Sequence, residues 1–265
     1  MLMVKKVYKT HKPKTILITG PTGDFGKAFC HRFAEMDCQL VLAGRSVEKL
    51  QALQGELGEN HRNHFHIGFC DMSSRISIEQ FVKDIPEKFQ DIDLLINNAG
   101  LALGLEPAQN CDLDDWETMI DVNNKGLVIM TRLVLEGMKK RKSGHIINIG
   151  STAGNYPYPG GNVYCASKAF VKQFSLAIRA DLAGTNIRVT NIEPGMVETQ
   201  FSKVRFKGDA DKAEQVYADT APLTAEDVAE SVVWAATLPP HFNVNRLEIM
   251  PTVQSFGPLP VERSA

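Results

Sequence analysis

Seven short β-rich runs, most of them continuously apolar, constrain this chain more than any other feature. They fall at residues 15–19, 39–43, 64–69, 92–96, 145–149, 187–192 and 247–250. A strand with one face in water alternates apolar and polar residues, whereas a continuous apolar run fits a strand covered on both faces, as in a parallel sheet. Helical patterns separate the runs. Phe170, Phe174, Ile178 and Leu182 recur every four residues, which predicts an apolar stripe on one helix face. Thr224, three residues before Asp227, has the pattern of a helix start. Strands alternating with helices imply right-handed crossovers and a doubly wound parallel α/β sheet of about seven strands with helices on both faces. A length of 265 residues suits one large domain of this kind.

Composition narrows the class. The chain is 43% hydrophobic and 23% charged, as a soluble globular protein is. A net charge of −2 gives no bulk attraction to nucleic acid or an anionic membrane. No apolar stretch approaches the ~20 residues of a membrane span. Cys30, Cys38, Cys70, Cys111 and Cys165 form no C-x-x-C pair. That argues against a zinc or dithiol site and suits the reducing cytoplasm. His61, His64 and His66 straddle a helix–strand junction without an accompanying ligand pattern, so no metal is expected there. Residues 1–14 hold five lysines and no acid. They read as a flexible basic arm before a domain at 15–265; a nucleic-acid-binding tail is the alternative.

In doubly wound sheets, ligands bind beyond the carboxyl ends of the strands, so the residues following each run carry the information. The first run leads into Thr19-Gly20-Pro21-Thr22-Gly23-Asp24-Phe25-Gly26, a turn whose glycines let backbone approach a phosphate at a helix start. After the second run stands Gly44-Arg45-Ser46, with no acid to bind ribose hydroxyls. An Arg here accommodates a 2′-phosphate, which favours NADP over NAD. Asp71-Met72 follows the third run and Asn97-Asn98-Ala99-Gly100 the fourth. The fifth leads to Ser151; Tyr164 comes thirteen residues later and Lys168 four after that. Tyr164 and Lys168 share a helix face, and an ammonium beside a phenol lowers its pKa toward a range useful for proton transfer. Pro194-Gly195 breaks the chain after the sixth run, and the polar stretch to about residue 222 reads as a lid.

Together these elements, with Asn123-Asn124-Lys125-Gly126, resemble the short-chain dehydrogenase/reductase family over nearly the whole chain. The resemblance implies a Rossmann-type fold and a catalytic tetrad. Tyr164 would be the acid/base, Lys168 would hold the nicotinamide ribose, Ser151 would bond the substrate oxygen, and Asn123 would position a relay water. It further assigns Gly20, Pro21, Thr22, Gly23, Asp24 and Phe25 to pyrophosphate and Arg45 and Ser46 to the 2′-phosphate. Asp71 and Met72 would meet adenine and Asn98 the adjoining ribose. Pro194, Gly195, Val197 and Thr199 would line the nicotinamide. Within the family, the stretches around Leu101–Gly104, Trp116–Asp121 and Val204–Gly208 are similar to bacterial NADP-dependent 3-hydroxy acid dehydrogenases, which act on serine, allo-threonine and 3-hydroxy acids and reduce malonic semialdehyde. Sulfoacetaldehyde reductases look like near relatives. Arg205 and Lys207 are candidate cations for the acid group of such a substrate. The resemblance also implies a homotetramer, with the helix after Tyr164 at one interface.

One position departs from the family's T-G-x-x-x-G-x-G turn: Asp24 stands where the middle glycine belongs, and Gly23 precedes it. A carboxylate beside pyrophosphate is electrostatically adverse. Asp24 is the one feature favouring a non-catalytic nucleotide-binding regulator or scaffold, against which Asn123, Ser151, Tyr164 and Lys168 all stand.

Overall fold

The computed structural model describes residues 10–58 and 64–256. Seven parallel strands form one sheet in the order β3-β2-β1-β4-β5-β6-β7. They are β1 (Thr15–Thr19), β2 (Gln39–Gly44), β3 (Phe65–Phe69), β4 (Leu94–Asn97), β5 (Gly144–Ile149), β6 (Ile187–Pro194) and β7 (Arg246–Ile249). Helices α1 (Asp24–Glu35), α2 (Val47–Glu56) and α9 (Ala225–Thr237) cover one face. Helices α3 (Arg75–Lys83), α5 (Leu127–Arg141) and α6 (Asn162–Asp181) cover the other. Helix α4 (Leu113–Ile120) runs through a π-helical stretch, Asp121–Gly126, into α5. Between β6 and α9 lie two short helices, α7 (Phe201–Arg205) and α8 (Ala210–Gln215).

The continuous apolar runs are explained by two cores. Ile16 and Ile18 pack with Phe29, Phe33 and Val228 on one face, while Leu17 joins Ile78, Phe81 and Met130 on the other. Each fully buried side chain of this size contributes about 1.5–3 kcal/mol relative to exposure. Pairing of β1 with both β2 and β4 puts the reversal of strand order beyond the end of β1. That is where a ligand crevice opens in such sheets.

Several expectations are refined. Thr224 and Asp227 form a reciprocal capping box at the start of α9. The stripe on α6 is displaced: Tyr164, Lys168, Val171 and Ser175 are buried, whereas Phe170 is exposed and its ring stacks on Phe174, centroids 5.9 Å apart. The inward face must carry polar groups to the site and to Asn148, which bonds Ser175 at 2.8 Å. Apolar periodicity therefore marked the wrong side of the helix's first half. The end of the stretch read as a basic arm is bonded to the domain. His11 N–H donates to the Thr237 carbonyl, and Asp93 accepts from the Lys14 and Thr15 amides. Residues 1–9 lie outside the described residues. His64 faces Asp37 at 3.2 Å and His66 packs against Phe81 and Phe89, while His61 lies outside the described residues. Among the described residues no helix is long and apolar enough to cross a membrane.

Candidate active site

The turn after β1 is built for close approach. Gly20 has φ +63°, and a Cβ there would stand 3.0 Å from the Ala99 backbone. A Cβ on Gly26 would stand 2.3 Å from the Gly20 carbonyl oxygen. Gly23 caps α1 without any side-chain hydrogen bond, so no capping side chain takes up the first-turn amides. Such a helix start is an anion site. Pro21 is buried, and the Phe25 ring lies 6.3 Å from Phe29, turned into the core with only its backbone at the turn. Asp24 opens α1 and is not among the residues with positive φ, so it needs no left-handed backbone. Its carboxylate accepts from the Gln200 amide at 2.6 Å.

The neighbouring strand ends shape the rest of the crevice. Arg45 is exposed at the end of β2, while Ser46 caps α2 through the Lys49 amide and donates to Glu48. Asp71 closes a tight turn by accepting from the amide and hydroxyl of Ser73 at 3.0 and 2.8 Å. Met72 is buried in the core, leaving only its backbone to face a ligand. Asn98 donates to the Thr19 and Gly20 carbonyls at 3.0 and 2.9 Å, tying β4 to the glycine turn. Its partner Asn97 is internal, donating to Thr131 and Asn148. These glycines, the uncapped helix start and the exposed Arg45 fit a dinucleotide carrying a 2′-phosphate.

At the other end of the crevice the structure brings the four tetrad positions together. Tyr164 and Lys168 rise from the first turns of α6, with Ser151 just past β5. The Asn123 carboxamide is fully committed. Its oxygen accepts from the Leu101 amide at 2.9 Å; its nitrogen donates to the Leu101 carbonyl and the Ser167 hydroxyl. Asn123 lies within the π-helical stretch, a helix form found mostly at functional sites. Lys168 donates to the Ile149 carbonyl at 2.9 Å and sits 5.9 Å from the centre of the Tyr164 ring. Burial lowers the Lys168 pKa to about 8.

The Tyr164 phenol differs from the sequence expectation. Burial drives its pKa well above the ordinary value, the Tyr158 phenol adds to the rise, and Ser151 and Arg205 oppose it. Lys168 contributes no resolved lowering. The cause is visible in the packing. Phe201 lies 5.6 Å from the Tyr164 ring and the Arg205 guanidinium 5.6 Å from it, so α7 covers the phenol. Arg205 donates to the Gly104 carbonyl at 3.2 Å and to the Tyr158 hydroxyl at 2.8 Å, while one terminal nitrogen is buried with no partner. Lys207, the other candidate cation, is diverted to Asp115 at 2.8 Å.

Sequence reasoning missed the buttress behind this site. Glu193, fully buried just before Pro194-Gly195, accepts two bonds from Arg246 at 2.7 and 2.6 Å and one each from Asn155 and Asn191. Burial raises its pKa, but those donors outweigh it and the net shift is downward. Asn155 also bonds Glu248, as does Tyr156. Gln254 accepts from the Met196 amide at 2.7 Å, so the segment after β7 braces the Pro194-Gly195 turn of its own chain. Val197 packs into the core and bridges to Leu223, which closes the base of the segment between them. Thr199 accepts from the Phe201 amide.

A phosphate-binding turn, a Tyr–Lys pair on one helix and a serine facing the phenol define a nicotinamide-dependent dehydrogenase site. Residues 14–210 match the family described as short chain dehydrogenase. The chain belongs to that family. It is 56% identical over 250 residues to the NADP-dependent 3-hydroxy acid dehydrogenase YdfG of Salmonella typhi, covering 94% of this chain and 99% of the relative. It is 48% identical to sulfoacetaldehyde reductase 2 of Chromohalobacter salexigens, covering 94% and 98%. The fold superposes with a TM-score of 0.91 on the closed form of serine dehydrogenase complexed with NADP+, at 54% identity over 94% of this chain and 100% of that one.

Proposed function

We propose that this protein is an NADP-dependent oxidoreductase interconverting a small 3-hydroxy acid of the serine, allo-threonine or 3-hydroxypropionate type with its carbonyl form. The observation that carries the substrate class is Arg205. Its guanidinium stands 5.6 Å from the Tyr164 ring with one buried nitrogen unpaired. A cation at that distance from the acid/base suits a carboxylate close to the reacting carbon, and Arg binds carboxylates in two-point fashion. The names of the similar dehydrogenases agree with this reading.

The cofactor supplies or accepts the hydride; the protein orients and polarises. Gly20 through Phe25 hold the pyrophosphate, Arg45 and Ser46 the 2′-phosphate, Asp71 and Met72 the adenine, and Asn98 the ribose. Pro194, Gly195, Val197 and Thr199 line the nicotinamide. Ser151 and Tyr164 bond the substrate oxygen. In reduction Tyr164 gives up its proton, and its raised pKa keeps that proton in place through neutral pH. Lys168 holds the nicotinamide ribose, and the Asn123 carbonyl holds a relay water. The 197–222 segment acts as a lid that excludes water, with Phe201 and Arg205 on its inner side. The domain runs from 15 to 265. Exposed Phe170 on α6 and Leu113 and Ile120 on α4 suit a homotetramer interface, and the protein works in the cytoplasm.

Sulfoacetaldehyde is a second reading, because the same guanidinium accepts a sulfonate and one relative bears that activity in its name. Turnover of serine, allo-threonine, 3-hydroxypropionate and isethionate, each with NADP and NAD, ranks these substrates. Activity confined to isethionate would replace the first reading by the second. NADPH binding without turnover of any of these acids would point to a different substrate, and absence of NADPH binding by folded protein would make Asp24 the suspect and favour the non-catalytic reading.

A further inference from the structure

The carboxylate of Asp24 joins two parts of the molecule that the family turn leaves unconnected. It projects from the first residue of α1, beside the glycines assigned to pyrophosphate, and accepts from the Gln200 amide at 2.6 Å. Gln200 immediately precedes α7, whose first amides lack partners within the helix. Thr199 serves the Phe201 amide from within the same segment, and Asp24 serves Gln200 from across the fold. Behind this bond α7 and α8 stand off from α1 across a cleft of about 1030 Å³ lined by Lys27, His31, Lys203 and Tyr217. A bond to an ionised acceptor is shorter and stronger than a neutral one. The glycine found here in the family pattern has no side chain to make it.

We propose that Asp24 is a positioning residue that tethers the lid to the pyrophosphate turn, and that the same carboxylate weakens cofactor binding by standing beside the pyrophosphate. Lys27, one turn along α1, pairs with Glu56 at 3.5 Å and so is drawn away from the Asp24 charge. Lid position and cofactor affinity are then set against one another by one side chain. The proposal rests on the placement of pyrophosphate at Gly20–Phe25.

The test compares Asp24→Gly and Asp24→Asn with the wild-type chain. Trypsin cleavage after Lys203 and Lys207 without cofactor reads the tether, and NADPH fluorescence titration at low and high salt reads the charge. Asp24→Gly is expected to be cleaved about two- to fivefold faster, the range one exposed charged contact spans, and to bind NADPH tighter by a similar factor. The gain in affinity should shrink as salt screens the charge. Asp24→Asn keeps an acceptor oxygen and loses the charge, so its cleavage rate should fall between those of wild type and Asp24→Gly while its affinity gain remains. Wild-type cleavage of Asp24→Gly would overturn the tether. Unchanged or weaker NADPH binding by both variants would overturn the charge effect. If wild type itself bound no NADPH, the placement of the cofactor would fail, while the cleavage comparison would still decide the tether.

Discussion

Replacing Arg205 by Ala tests the substrate class through one side chain. The guanidinium has two nitrogens bonded, to Gly104 and Tyr158, and a third buried without a partner. A substrate carboxylate is the group that completes it. A hydrogen bond to a charged group is worth about 1.5–3 kcal/mol, and about 1.4 kcal/mol is a factor of ten. The substitution should therefore lower kcat/KM for a 3-hydroxy acid by about 10- to 150-fold. Arg205→Ala also removes packing over Tyr158 and Tyr164, so the acid substrate must be compared with a neutral alcohol of the same length. Steady-state NADPH formation with 3-hydroxypropionate and with 1-propanol gives the two ratios. The charge reading requires the fall to be confined largely to the acid. Arg205→Lys should fall between wild type and Ala, because it keeps the charge and loses the two-point fork. Equal losses for acid and neutral substrates would refute the reasoning and leave Arg205 as a packing residue of the lid.

Other outcomes follow from the same geometry. Arg45→Ala should reduce the preference for NADP over NAD by about tenfold, the value of one charge-assisted phosphate contact, as read by kcat/KM for each cofactor. Lys168, with a pKa of about 8, is charged below that pH and neutral above it, so carbonyl reduction should decline as pH rises through about 8. A flat profile to pH 10 would remove Lys168 as the group responsible. Glu193→Ala leaves the Asn191 amide and the Arg246 guanidinium without this acceptor and should lower stability by about 1–3 kcal/mol in denaturant melts, with kcat falling as the Pro194-Gly195 turn loosens. Gly126→Ala would place a methyl 2.1 Å from the Met72 carbonyl oxygen and should sharply reduce the yield of folded protein.

The strands were legible in the sequence because burial on both faces leaves continuous apolar runs, and the order of motifs after them pointed to the candidate site. Tyr164 and Lys168 were readable because helix geometry links residues four apart. The inward side of α6 was misjudged where polar residues are buried for a purpose. Glu193 with Arg246, and Asn155 with Glu248, are pairs 53 and 93 residues apart, and no local pattern announces them. Lys207 and Arg205 look alike in sequence; only Asp115 on α4 separates their fates. Burial pushes the Tyr164 phenol up, and the part of that burial made by Phe201 of α7 is a long-range packing event invisible to spacing.

Tyr164→Phe is the most direct test of the central claim. It removes one oxygen and keeps the ring that packs against Phe201. The measurement is paired: NADPH affinity by fluorescence, and turnover of the best acid substrate by absorbance of the reduced nicotinamide. The account predicts near wild-type affinity and turnover reduced by at least the ~10²–10⁴-fold that positioned acid–base catalysis supplies. Retention of turnover with unchanged NADPH binding would contradict it, because the proton would then come from a group other than the one at the centre of this site.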